Sequence, residues 1–169
     1  MSRSYRSAAA GLIALAIAAP AAAQTSAVAS INATANVTGV APLTAAGVND
    51  LNFGAVTAGT PKTPANLAND AGRFNISGQP STPVTVTFAL PTVLVGPGAA
   101  TIPITFGNAD GLNWTAYPTT FVTFNPNVPF FTSLSGTGNL TIGISGTVSP
   151  PLLTSTGTYN GTVTLTVTY

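Results

Sequence analysis

Apolar and polar residues alternate with a period of two in many short stretches of this chain, and glycine, proline or asparagine bounds most of these stretches. A period of two puts successive side chains on opposite faces of a β-strand. The pattern predicts strands in ASINATANVTG, LNFGAVTAG, RFNISG, STPVTVTFAL, ATIPITFG, NWTAYPTTFVTF, GNLTIGISG and the terminal GTVTLTVTY. It predicts an all-β fold, an immunoglobulin-like β-sandwich of about eight or nine short, mainly antiparallel strands.

Two features refine this strand map. Pro103, inside ATIPITFG, predicts an edge strand or a bulge, because proline cannot donate to a strand ladder. The stretch NVPFFTSLSGTG has no clear alternation and predicts an exposed loop over residues 127–136. Phe130 and Phe131 are adjacent in this loop and cannot both point inward, so we expect it to be a possible contact with a partner.

The first residues have the pattern of an export signal. Arg3 and Arg6 precede an apolar run from Ala8 to Ala19, and a small-residue cleavage site follows. We expect residues 1–23 to be a signal peptide and residues 24–169 to be a single domain. No later segment is long and apolar enough for a spanning helix, so membrane insertion is not expected.

Charge is scarce after the predicted cleavage site. The charged side chains there are Lys62, Arg73, Asp50, Asp70 and Asp110, and the whole sequence has no Cys and no His. Nucleic-acid binding needs a basic patch, which is missing. Thiol, histidine and zinc catalysis are excluded, and each Asp lies in a turn-like context where it caps backbone. The sequence therefore predicts no enzyme, no metal and no cofactor.

Alternating stretches at both ends predict self-assembly. An uncharged, β-prone edge invites pairing with another chain, and a strand given by each copy to the next forms an open filament. We expect residues 24–37 to be a possible donor strand. Its apolar members are Ala29, Ile31, Ala33, Ala35 and Val37, and the C-terminal strand that would receive it has Val163, Leu165, Val167 and Tyr169.

Four aromatic residues are close in sequence, namely Trp114, Tyr117, Phe121 and Phe124. They could form a platform that stacks on sugar rings, or they could be core residues and cross-strand pairs. The core interpretation is favoured for Trp114, because a domain of this size needs large core residues.

Several stretches together resemble a bacterial secreted family known as domain of unknown function 4402. They are ATANVTGVAPLT, DLNFGAVTAGTPKT, AGRFNISGQPSTPVTVTFALP, DGLNW and GTVSPPLLTSTGTYNGTVTLTVTY, between Ala33 and Tyr169. The family is similar in layout to spore-coat-U-like and fimbrial subunits that a periplasmic chaperone and an outer-membrane usher assemble. The resemblance implies a Gram-negative bacterium and passage through the periplasm to the cell surface. The chain departs from fimbrial subunits in lacking a disulfide and in ending on its aromatic residue.

Three functions remain open from the sequence. The first is a pilin-like subunit of a cell-surface filament or coat, with copies of itself, a periplasmic chaperone and an outer-membrane usher as the expected partners. The second is a monomeric secreted module that binds a glycan or a protein near Trp114 or Phe130. The third, least favoured, is a small outer-membrane β-barrel, because most strands are short for that role.

Overall fold

The computed structural model describes residues 29–36 and 39–169 of the chain. The chain divides into two units, Met1–Val37 and Thr38–Tyr169. In the first unit, residues 29–36 have exposed side chains and no regular secondary structure. All the strands described below belong to the second unit.

Eleven strands and one short α-helix occur in the described residues, together with a 3-10 turn at Pro97–Ala99. The strands are β1 (Thr44–Asn49), β2 (Gly72–Ser77), β3 (Pro83–Ala89), β4 (Val93–Val95), β5 (Thr101–Thr105), β6 (Gly111–Ala116), β7 (Thr120–Phe124), β8 (Phe130–Ser133), β9 (Asn139–Ile144), β10 (Thr147–Val148) and β11 (Thr164–Thr168). The helix α1 spans Leu67–Asp70 and is capped by the Asn66 side chain, which accepts a hydrogen bond from the Ala68 amide.

The strands form one large sheet and two small ones, all antiparallel in the described residues. The large sheet has the order β1-β2-β9-β6-β7, and the small sheets have the orders β10-β5-β4 and β11-β3-β8. Pro91 separates β3 from β4. Later in the chain, Asn160 pairs with Val95 of β4, and β11, which follows Asn160 in sequence, pairs with β3. The all-β sandwich predicted from the alternation is confirmed, although the alternation did not predict β1, β4 and β10.

The main core lies between the large sheet and the β11-β3-β8 sheet. Val84 and Val86 of β3 pack with Ile76 of β2 and Ile142 of β9, and all four are almost fully buried. Each such side chain contributes about 1.5–3 kcal/mol when it leaves water. The alternate residues of β9, Leu140, Ile142 and Ile144, all point into the protein as their spacing predicts.

A line of four phenylalanines crosses this core. Phe74 meets Phe88 edge to face at 6.1 Å, Phe88 stacks on Phe124 at 6.4 Å, and Phe124 stacks on Phe130 at 3.9 Å between ring centroids. The line therefore links β2, β3, β7 and β8, which belong to both layers of the sandwich.

A second cluster covers the outer face of the large sheet. Leu112 and Trp114 of β6 pack with Ala71 against helix α1, on the face that Gly143 of β9 shares. A Cβ atom on Gly143 would lie 3.0 Å from Trp114 Nε1 and 3.1 Å from Leu112 Cβ. The absence of a side chain at Gly143 therefore lets the indole come close to the sheet.

Three predictions about elements are wrong. The stretch around Phe53 and Val56 is an irregular loop, because Gly54 has φ of 62° and its amide donates to Asn52 Oδ1 in a turn. Phe130 and Phe131 lie in a strand, β8, and not in a loop. Pro103 lies in β5, between β10 and β4.

The sheet accommodates Pro103 because β10 is short. Residues of β10 pair only with Ile104 and Thr105, and the Pro103 carbonyl accepts one further bond from the Ser149 amide. The proline nitrogen faces the same side as this carbonyl, just past the end of β10, so no ladder donor is required from it.

Loop segments close some strand edges and leave others open. Lys62 pairs with Val148 on the outer edge of β10, and Asn160 pairs with Val95 on the outer edge of β4. Within residues 29–36 and 39–169, no backbone pairing covers the outer edges of β1, β7, β8 and β11. The open edges form two pairs: β1 beside β11, and β7 beside β8.

Candidate functional site

The C-terminal strand β11 forms the border of its sheet. It pairs with β3 along one edge only, from Thr164 opposite Ala89 to Thr168 opposite Thr85. Leu165 and Val167 are half-buried against the core of their own sandwich, whereas the threonines between them are exposed. What β11 leaves open is therefore its backbone edge, and not the apolar side chains that the sequence suggested for the acceptor.

Tyr169 closes the gap between β11 and the segment before β1. Its hydroxyl donates to the Ala41 carbonyl at 2.6 Å and accepts from the Gln79 amide at 2.8 Å. The Ala41 amide in turn donates to Gln79 Oε1 at 3.1 Å. Gly78 makes room for the phenol, because a Cβ atom there would lie 2.5 Å from the Tyr169 hydroxyl. The sequence predicted Tyr169 as part of the acceptor but did not predict this bond network.

A cavity of about 920 Å³ lies at the other end of β11, where the strand begins. Its wall includes Val163 before β11, Gly47 and Asn49 of β1, and the apolar side chains of Ile102 and Ile104 of β5. Among the described residues that line it, Asp50 is the one with a charged side chain. A large and nearly uncharged cavity thus borders β1 and the residue that precedes β11.

The predicted donor residues lie in the first unit. Ala29, Ile31, Ala33 and Ala35 are exposed and lack strand structure, and the side chain of Ile31 is 94 % exposed. Val37 and residues 24–28 lie outside the described residues. The donor strand therefore stays a prediction, since a strand forms only when it has a partner edge.

The two adjacent phenylalanines of β8 face opposite ways. Phe130 is half-buried and stacks on Phe124, while Phe131 is 75 % exposed beside Thr85 on the outer face. Contact with a partner through Phe130 is not available without opening the core. Phe131 is the residue of this pair that a partner can reach.

The other aromatic residues divide between two clusters. Phe124 belongs to the main core, while Trp114 contacts Tyr117 at 5.2 Å and Phe121 at 4.7 Å on the outer face. The Arg73 guanidinium lies 4.1 Å above the Tyr117 ring. Trp114 is only 6 % exposed, so its ring offers no stacking platform.

The carboxylates serve the local backbone at two of three positions. Asp110 Oδ2 accepts from the Gly107 amide at 2.6 Å, and Asp70 Oδ2 accepts from the Asn66 amide at 2.9 Å. Asp50 faces the large cavity instead. In the described part of the chain, no group of three acidic, His or Cys side chains could hold a metal ion.

Among the helices described, none has the length and apolar character to cross a membrane. Comparison with protein-family models finds none that matches this chain, and no curated protein matches it either.

Proposed function

We propose that this protein is a pilin-like structural subunit of a bacterial cell-surface filament or coat, assembled by β-strand exchange. Residues 24–37 of one copy add to the open edge of β11 in the next copy. The observation that carries the proposal is the uncovered outer edge of β11 beside the 920 Å³ cavity. Strand addition at such an edge uses main-chain bonds for affinity and side-chain pockets for specificity.

The chemistry of the two surfaces is compatible. Residues 24–40 contain no ionisable side chain, so the side chains of the donor strand bring no charge to the cavity. Ile31 is the largest of the alternating apolar residues and the one with most to gain from burial. The alanines on either side of it at the same period let the backbone come close to β11.

The proposed contact is head-to-tail, because the donor and the acceptor are different surfaces. Such contacts propagate into open filaments and do not close into dimers. Export through the periplasm, with a chaperone and an usher as further partners, belongs to the same proposal.

The test uses the chain beginning at Gln24 and two substitutions in the donor strand. Ile31→Asp places a charge on the apolar face, whereas Ser30→Asp places the same charge on the opposite face and is the matched control. We expect the unsubstituted chain and S30D to form SDS-resistant oligomers and fibres, visible by light scattering and negative-stain microscopy. We expect I31D to form no SDS-resistant oligomers and no fibres, with an unchanged unfolding midpoint.

Two outcomes would contradict the proposal. One is an unsubstituted chain that stays monomeric at high concentration. The other is an I31D variant that polymerises as well as S30D, since the apolar alternation would then have no role in assembly.

A second candidate function, a monomeric binding module, rests on a smaller cavity. It measures about 560 Å³ and is lined by uncharged hydrogen-bonding side chains that include Asn113, Tyr117 and Thr141. Pockets of this volume suit small polar ligands such as sugars. A monomeric chain whose glycan binding is lost in Tyr117→Ala and kept in I31D would favour this function over the filament.

A further inference from the structure

The second open edge of the sandwich, β7, has the features of an interaction surface. Its sequence, TFVTF from Thr120 to Phe124, contains no charge and no proline. Proteins commonly protect edge strands with lysine, proline or a covering loop. The small sheet β10-β5-β4 has such covers on both of its edges, at Lys62 beside β10 and at Asn160 beside β4. In the described residues, β7 has no such cover.

Val122, at the centre of β7, is an apolar residue whose side chain is left exposed to water. It pairs with Asn113, whose side chain points inward and donates to Thr132 of β8. Val122 therefore faces the interior side of the large sheet, as Phe124 does two residues later. Phe124 is 9 % exposed, but Val122 remains 58 % exposed. The sandwich is thus open along β7 at the position where an inward-facing apolar side chain remains in water.

We infer that β7 pairs with β7 of a second copy of the chain, in an antiparallel pair across a two-fold axis at Val122. A five-residue strand is centred on its third residue, so Val122 lies opposite Val122 of the partner copy and Thr120 lies opposite Phe124 of the partner copy. The unpaired backbone groups on the outer edge of β7 form hydrogen bonds in both copies, and the two apolar Val122 side chains cover each other. The large sheets of the two copies join into one sheet.

The charge distribution supports a second copy as the occupant. Two identical edges come together readily only if they do not repel each other, and a like-charge pair directly opposite is destabilising. The charged side chains of the described sandwich are Asp50, Lys62, Asp70, Arg73 and Asp110, and none belongs to β7 or β8. The contact is isologous, so it adds a lateral link that is independent of the proposed head-to-tail exchange.

Cysteine cross-linking tests this register directly, because the natural sequence contains no Cys. Directly opposed residues have Cβ atoms about 4.5–5.5 Å apart, which permits a disulfide with a small adjustment. We expect Val122→Cys, in the chain beginning at Gln24, to give a covalent dimer on mild oxidation. Thr120→Cys is the matched control, because it is exposed on the same strand but lies opposite Phe124 of the partner copy.

The cross-linking is repeated in the Ile31→Asp background, which removes the proposed donor strand. We expect at least a tenfold higher dimer yield for V122C than for T120C, with or without I31D. Equal yields for the two cysteine variants would overturn the β7 register, even if filaments still form. A dimer that is lost in the I31D background would also overturn it, because the contact would then depend on head-to-tail assembly.

A charged variant gives a second readout. Val122→Lys introduces the protective charge that β7 lacks, and the side chain is exposed enough for the fold to tolerate it. We expect V122K to reduce lateral association of filaments, or dimers of I31D, by at least fivefold at unchanged unfolding midpoint. Undiminished association in V122K would contradict the proposal.

Discussion

The hydroxyl of Tyr169 donates a 2.6 Å hydrogen bond to the carbonyl of Ala41. This bond joins two residues that are 128 positions apart in the sequence. The bond closes one end of the space between β1 and β11. The other end, near Val163, stays open at the large cavity. A strand that adds to β11 therefore has a closed end and an open end, which gives the proposed acceptor a direction.

Removal of the Tyr169 hydroxyl is expected to destabilise the sandwich. Tyr169→Phe loses the bonds to Ala41 and Gln79, and at this half-exposed site we expect a loss of about 1–2 kcal/mol in the free energy of unfolding. Tyr159→Phe is the control, because that hydroxyl makes one local bond, to the Ser155 carbonyl. Urea denaturation monitored by circular dichroism measures both, and equal losses would show that the Tyr169 network has no special role.

Gly78 is expected to tolerate no side chain. A Cβ atom there would lie 2.5 Å from the Tyr169 hydroxyl and 2.9 Å from Leu43 Cδ1. Overpacking of this kind costs about 1–3 kcal/mol, so Gly78→Ala should lower the midpoint of thermal unfolding by several degrees. Gly136→Ala is the matched control, since no atom lies within 4 Å of its Cβ position. A G78A protein as stable as G136A would contradict the observed packing.

The two phenylalanines of β8 should differ sharply on truncation. Phe130→Ala removes the ring that stacks 3.9 Å from Phe124, and we expect a loss of about 2–4 kcal/mol. Phe131→Ala removes a ring that is 75 % exposed and should change stability by less than about 0.5 kcal/mol. Chemical unfolding of the two variants side by side provides the measurement. A larger loss for F131A than for F130A would reverse the orientation of β8.

Gly143→Ala should disturb the indole on the outer face. The new methyl group would press on Trp114 Nε1 and Leu112 Cβ, at 3.0 and 3.1 Å, and we expect a loss of about 1–2 kcal/mol. The emission maximum of Trp114 should move to longer wavelength, because the ring is pushed toward water. Gly47→Ala is the control, since its Cβ would make only an ordinary 3.9 Å contact with Phe74. An unchanged emission spectrum in G143A would contradict this geometry.

The sequence predicted the strands whose alternation is strong on both faces. In β9 and β11, apolar residues that face the core, such as Ile142 and Val167, alternate with threonine or glycine, so the period alone identifies the strand. It did not predict β8, because Pro129 and the following serines and glycines mask a four-residue strand. It also extended a strand over Phe53, where apolar residues cover a cavity from a loop.

The details of the candidate site were beyond the sequence for a physical reason. The Tyr169 network joins residues 41, 79 and 169, and no local pattern encodes contacts over such separations. The cavity arises from the way the small sheet β10-β5-β4 faces the large sheet. Alternation indicates which side of a strand is apolar, but it does not indicate how far apart two layers lie.

The line of phenylalanines has a mechanical consequence. Phe74, Phe88, Phe124 and Phe130 connect four strands through ring contacts that cross from one layer to the other. A pulling force applied to strands beside either open edge is shared among these rings, because the strands cannot shear past each other without separating the stack. We therefore expect resistance to tension in this protein to depend on these four ring contacts as well as on strand hydrogen bonds.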